Sequence, residues 1–334
     1  MEKSQTIILK VKNVKNKKKM HKYFLLTTDV ETTSIINHRL SDTTGKKVAD
    51  EAIPQLLDFY KMHSIKSTFF ITGYFAEKFP YAVQNIHQSG HEIGCHGYSH
   101  KREDAFDMLG FHEQLAHLEK AKKILEEITS EKVISFRAPA LRTNEFTAKS
   151  LEKNGFKIDS SVSSQRFDFF MSEGAKQKFQ WLFSSRLPYF TSRTNLARKG
   201  DSSILEIPVS AIIMPYIGTT MRIFPNLIKL LRVFLDWEAQ KQGNCINFLF
   251  HPNEMIIEDK LNSVQKNKKG NYLQYVLSDV VRKKLKEKNL GEKAVMLLEE
   301  NIHYFKRRNY EFITCKEYYE RTLDGKTFRN YKHS

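Results

Sequence analysis

The chain has 334 residues, with 54 Lys and Arg against 38 Asp and Glu, for a formal net charge of +16. A 40% apolar fraction that includes 24 Phe and 14 Tyr is enough for a sizeable core and excludes an intrinsically disordered chain. No run approaches the ~18 uninterrupted apolar residues that cross a bilayer, and the N-terminus lacks the apolar core and cleavage site of a secretory signal, so the expected location is cytoplasmic. Cys95, Cys245 and Cys315 are too few and too scattered for a disulfide framework and read as buried thiols. The positive charge suits acidic partners, including an anionic membrane surface or a phosphate-bearing substrate. No RNA-module, zinc-finger or basic-zipper pattern occurs, so no specific nucleic acid is expected.

In chain order, residues 1–20 alternate Ile, Leu and Val with Lys and then become a lysine run, which reads as a basic N-terminal arm or edge strand. A single domain is expected over 21–330. YFLLTTDVE, from Tyr23, is an apolar run that turns polar at its end, as a buried parallel strand does. Residues 47–63 place Ile53, Leu56, Leu57 and Tyr60 at helical spacing, and SIKSTFFITG follows as a second strand. AEKFPYAVQNIHQSG reads as a helix, HEIGCH as a short strand and FHEQLAHLEKAKKILEEI as an amphipathic helix. VISFRAP, KIDSSV, ILEIPVS, NCINFLFHP and YEFITCKEY continue the strands, with helices over NEFTAKSLEKNGF, LIKLLRVFLDWEAQ and EKAVMLLEENIHYFKRR. Residues 165–203 read as an insertion or long loop. Such alternation, at about 30–40 residues per unit, predicts a parallel α/β sheet or barrel whose chemistry sits at the strand exits.

Five strands each deliver an ionisable side chain at that end. They bring Asp29 with Glu31, His96 with His100, Arg137, Asp159, and His251. Each alone has an ordinary explanation as a turn, cap or surface group. His91, before Glu92, reads as surface or framework, and Cys95 as packing. Gly97 argues against a helix carrying His96 and His100, but two imidazoles on a turn can share one cation with a carboxylate. Asp29 and Glu31 lie on one side of an extended strand, and crowded acids need a cation. One acid on a metal leaves the other as a base toward activated water.

TTDVE (27–31), HGYSH (96–100), RAP (137–139), DSS (159–161) and FLFHP (248–252), in this order, resemble the polysaccharide deacetylase (NodB-homology, carbohydrate esterase) family over roughly residues 20–325. The resemblance implies a distorted (β/α)7-type barrel and metal-dependent removal of an N-acetyl group from an acetamido sugar or glycan precursor. The divalent cation is expected to be Zn2+, with Fe, Co or Ni as alternatives. Motif by motif, His96 and His100 are metal ligands, Arg137 positions the base, Asp159 orients His251, and His251 is the general acid. The backbone N–H of Ala140 supplies the oxyanion contact. Asp29 is assigned as base and Glu31 as third ligand, the DxE form of the first motif, with the reverse assignment open. Ala140 replaces the aromatic usual after the proline, so the wall of an acetyl pocket has to come from elsewhere. Alternative readings are hydrolysis of a cyclic amide or N-formyl sugar, or a silent carbohydrate-binding relative.

Overall fold

The computed structural model describes residues 21–35, 39–165, 179–257, 285 and 287–324. The arm at 1–20 lies outside them. β1 (Tyr23–Val30) is buried along its whole length. Helix α1 (Asp42–Lys47) passes through a π-turn at Val48–Ala52 into α2 (Ile53–Met62), and β2 (Thr68–Ile71) follows. The helix expected after it is two, α3 (Gly73–Lys78) and α4 (Pro80–Gln88), because Pro80 keeps Phe79 out of helical geometry and opens the second helix. Then come β3 (Glu92–Cys95), α5 (Phe111–Thr129), β4 (Ser135–Phe136), α6 (Thr147–Lys153) and β5 (Ile158–Asp159).

Within the expected insertion, residues 166–178 lie outside the described residues, and the rest carries a hairpin, β6 (Tyr189–Ser192) and β7 (Asn195–Lys199). Next are β8 (Leu205–Glu206), the short β9 (Ala211–Ile212) and β10 (Met214–Pro215), α7 (Gly218–Ile223), α8 (Pro225–Gln242), β11 (Ile246–Phe250), α9 (Glu292–Lys306), β12 (Glu311–Phe312) and α10 (Cys315–Leu323). The strand expected through YEFITCKEY stops early. Thr314 accepts from Glu317 N while Glu317 accepts from Thr314 N, and this capping box starts a helix at Cys315.

The parallel strands run β11-β1-β2-β3-β4-β5-β8 in space, with β6 antiparallel to β8 at the edge and β12 joined to β1. The sheet curls until Ser210, just past β8, meets β11. Ser210 N donates to Asn247 O, and Asn247 N to Ser210 Oγ, each at 3.0 Å. The result is the expected distorted barrel.

Alternation along β1 separates two cores. Phe24, Leu26 and Val30 face the helices, where they join Phe69, Ile71, Leu118 and Leu298. Tyr23 and Leu25 point into the barrel with Phe70, Ile158, Leu205 and Ile207, and Cys315 and Tyr318 of α10 plug its lower end. The inward residues of β1 thus read Tyr, Leu, Thr, Asp and, one step past the strand, Glu. The interior passes from an apolar floor to a charged mouth. All three cysteines are buried and free. No helix among the described residues is long and apolar enough to cross a membrane. Truncating the fully buried plug residue, Tyr318→Ala, is expected to cost about 3–5 kcal/mol in urea unfolding, as for other large core aromatics.

Candidate active site at the strand exits

Arg137 leaves β4 pointing into the barrel and is 0% exposed. Its Nη1 donates to Asp29 Oδ1 at 2.7 Å and to Thr27 Oγ1 at 3.0 Å, its Nε to Ser160 O at 2.9 Å, and its Nη2 to Ser160 Oγ at 2.7 Å. The guanidinium also lies 4.3 Å from the Phe70 ring centroid. Asp29 is therefore held by a cation from within the protein.

Glu31 takes a different set of neighbours. His100 Nε2 is 2.9 Å from Glu31 Oε2, and the Glu31, His96 and His100 donor atoms all lie within 4.8 Å of one another. His96 directly follows β3, and the chain then turns through Gly97 at φ +67, where a Cβ would press on Phe106 and Pro139. That turn, not a helix, brings His100 beside His96. His96 Nδ1 meets the Arg137 carbonyl at 2.8 Å. A carbonyl only accepts, so Nδ1 carries the proton and Nε2 offers its lone pair toward Asp29 and Glu31. Burial holds His96 neutral, its pKa brought down to about 4. Burial works to raise Glu31, but His100, His251 and His96 outweigh it and hold the carboxyl at about 2. Two imidazoles and an ionised carboxylate form a donor set that fits a divalent cation.

A second triplet, His63, Glu299 and His303, also has ligand atoms within 4.8 Å. It lies at the opposite, strand-entry end, His63 following α2 ahead of β2, and the Lys306 ammonium sits on the His63 carbonyl oxygen. The first triplet alone stands beside Asp29, Arg137 and His251.

His251 follows β11, with Nδ1 3.5 Å from Glu254 Oε1. Glu254 is 1% exposed and takes Thr219 Oγ1 at 2.9 Å and Arg222 Nε at 3.1 Å. Gly218 leaves room for this group, because a Cβ there would collide with Glu254 Oε2 and Phe250. Burial disfavours a charged His251, yet the Glu254 contact and the Asp29 and Glu31 charges raise its pKa above the ordinary imidazole value.

Asp159, expected to orient His251, has other partners. Ser161 Oγ donates to it at 2.6 Å, and it pairs with the buried Glu206, whose Oε1 accepts from Val162 N. Burial raises both carboxyls, Glu206 well above its ordinary value, as two adjacent acids sharing a proton require. The motif spacing pointed to Asp159; the Glu three places past His251, in HPNE, was the available signal for its actual partner. Nothing in the local sequence marked Glu206 or Arg222.

The Ala140 N–H, expected at an oxyanion, donates to His100 Nε2 at 3.2 Å, so it is aimed at the ligand cluster. Ala140 and Leu141 both have left-handed φ, and the turn opens on a cavity of about 180 Å3 bordered by Arg142, Asn144, Trp181 and Asn195. His91, read as surface or framework, is 7% exposed and accepts from Ser67 N. Cys95 packs on the helix side of its strand, as expected.

Residues 37–158 match the polysaccharide deacetylase family. Over that segment the chain resembles this family. A peptidoglycan deacetylase of Helicobacter pylori is 31% identical over 123 residues, 37% of this chain and 41% of that protein. A peptidoglycan-N-acetylglucosamine deacetylase of Bacillus cereus is 52% identical over 50 residues, 15% of this chain and 18% of its own. The matches thus span less than half of these curated relatives. A solved structure from Mycobacterium smegmatis assigned to the polysaccharide deacetylases superposes with a TM-score of 0.53 at 22% identity, covering 70% of this chain and 78% of its own. One from Pseudomonas aeruginosa gives 0.50 at 16% with the same coverage. At these identities the two structures bear on the fold. The family match contains His96, His100 and Arg137 but not Asp29, Glu31, Asp159 or His251, which this deacetylase fold brings to the same mouth from flanking strands. In an imidazole NMR titration of metal-free protein, His96 and His91 are expected to stay neutral down to about pH 4, with His251 still protonated above the ordinary imidazole value.

Proposed function

We propose that this polysaccharide deacetylase relative hydrolyses the N-acetyl amide of an acetamido sugar, in a glycan or glycan precursor. One observation carries the division of roles: Asp29 is tied to Arg137 while Glu31 stands with two imidazoles. Glu31, His96 and His100 would hold a divalent cation, Zn2+ being the best suited, which supplies Lewis-acid activation of water and carbonyl. Asp29, fixed by Arg137, takes the proton of the attacking water as the C–O bond forms. The Ala140 N–H donates to the oxygen that becomes negative. His251 gives its proton to the amine nitrogen as the C–N bond breaks, and Glu254 holds the ring by Nδ1, leaving Nε2 for that transfer. Trp181, bordering the cavity beyond Ala140, supplies an aromatic near the position where the motif lacks one.

Acetate release from N-acetylglucosamine oligomers, with and without chelator, tests the reading. Chelation and the double variant His96→Ala/His100→Ala are each expected to lower the rate by about a thousandfold or more; undiminished release in either case overturns the mechanism. Ring opening of a cyclic amide without acetate release would move the substrate to another class of C–N bond. Asp29→Asn is expected to cost about 10²–10⁴-fold in kcat. In Glu254→Gln the His251 imidazolium loses its anionic partner and releases its proton at lower pH. Since the acid form does the work, the alkaline limb of the pH–rate profile is expected to move down, with kcat about tenfold lower. Asp159→Asn is expected to leave that limb in place.

A further inference from the structure

Helix α8 is apolar on both sides. Its inner face buries Ile228, Leu231, Leu235 and Ala239. Its outer face carries Leu230, Val233, Phe234 and Trp237, at i, i+3, i+4 and i+7, with 54%, 50%, 50% and 56% of each exposed. A surface helix ordinarily sets charged residues opposite its buried stripe, and a continuous exposed apolar stripe marks a contact surface. The acids of this helix are drawn inward, Glu238 to Arg186 at 2.7 Å and Asp236 to Arg308 and Tyr310. The exposed positions of α8 therefore include two lysines, Lys229 and Lys241, and no carboxylate. Lys241 lies 4.0 Å over the Trp237 ring. Lys229 and Arg232 both reach the single carboxylate of Glu300 on α9, which leaves that edge positive.

We infer that the outer face of α8 seats on an anionic lipid bilayer. Leu230, Val233 and Phe234 would enter the acyl boundary, with Trp237 at headgroup depth and the lysines on lipid phosphates. Charge selects this occupant over a second copy of the chain. A two-fold contact would stack two faces on which cations outnumber the one acid, Glu300, whereas an anionic surface attracts both this face and the chain's net charge of +16. The surface stands whatever the reaction at the strand exits. It is joined to them all the same: α8 follows directly on α7, whose Thr219 and Arg222 hold Glu254.

The experiment is co-sedimentation of the full chain with vesicles of equal parts phosphatidylglycerol and phosphatidylcholine, and with phosphatidylcholine alone. Anionic vesicles are expected to pellet the protein and shift its tryptophan emission to the blue. Of the two tryptophans, Trp181 is 3% exposed, so the shift reports Trp237. Leu230→Asp/Phe234→Asp, at exposed positions, is expected to weaken binding by about tenfold or more, with circular dichroism and acetate release from soluble oligomers unchanged. Three results overturn the inference: no binding to anionic vesicles, binding that survives the double substitution and so comes from the basic arm or bulk charge, or a dimer that the substitution dissolves. None of these bears on the hydrolase reading, which acetate release tests separately.

Discussion

The mouth of the barrel is organised around the Arg137 guanidinium, a permanent charge with no access to water. Such a group is tolerated only when its donors are matched, and removing one partner of a buried ion pair typically costs about 3–5 kcal/mol. Here Asp29, Thr27 and Ser160 take its N–H groups, and Phe70 presents a ring face. Those contacts tie β4 to β1 and β5. The same residue's carbonyl fixes the tautomer of His96, so one residue orients both the proposed base and a proposed metal ligand. Because Arg137 already neutralises Asp29, Glu31 is the acid proposed for an external cation.

Around that charge three further buried acids, Asp159, Glu206 and Glu254, stand in two environments with opposite consequences. Asp159 and Glu206 share a proton beneath the mouth, next to the Ser160–Arg137 contacts, and form part of the wall between β5 and β8. Glu254 is instead kept ionised by Arg222 and His251 against the pull of burial, and it passes that negative charge to the imidazole. A proton donor to a departing amine needs the second environment, not the first. The network has little slack, as the space against Gly218 shows.

This frame connects outward through α7 to α8, the helix with two apolar faces. Helices that cover a barrel bury one side and spend the other on solubility; α8 does not, and its acids are diverted inward to Arg186 and Arg308. The proposed catalytic mouth and the proposed lipid-facing helix, on adjacent elements, suit a substrate held at a surface.

Much of the barrel and most of its mouth were legible in the linear order. Short, continuous apolar runs between amphipathic helices specify buried parallel strands, and a polar residue closing such a run marks its exit, which is how Asp29, Glu31, His96, Arg137 and His251 are read from sequence. The break at Pro80 and the capping box at Thr314 were also written locally, although hydrophobic pattern alone passed over them. What the sequence by itself determined is which side chains reach the strand exits. Only the tertiary structure decided their partners: Arg137 for Asp29, two imidazoles for Glu31, Glu254 for His251 and Glu206 for Asp159. The physical reason is that strand alternation sets the direction of a side chain within its own segment, whereas ion pairing inside a closed barrel depends on the curl of the sheet, which brings Ser210 to Asn247 and residues over a hundred positions apart within hydrogen-bonding distance.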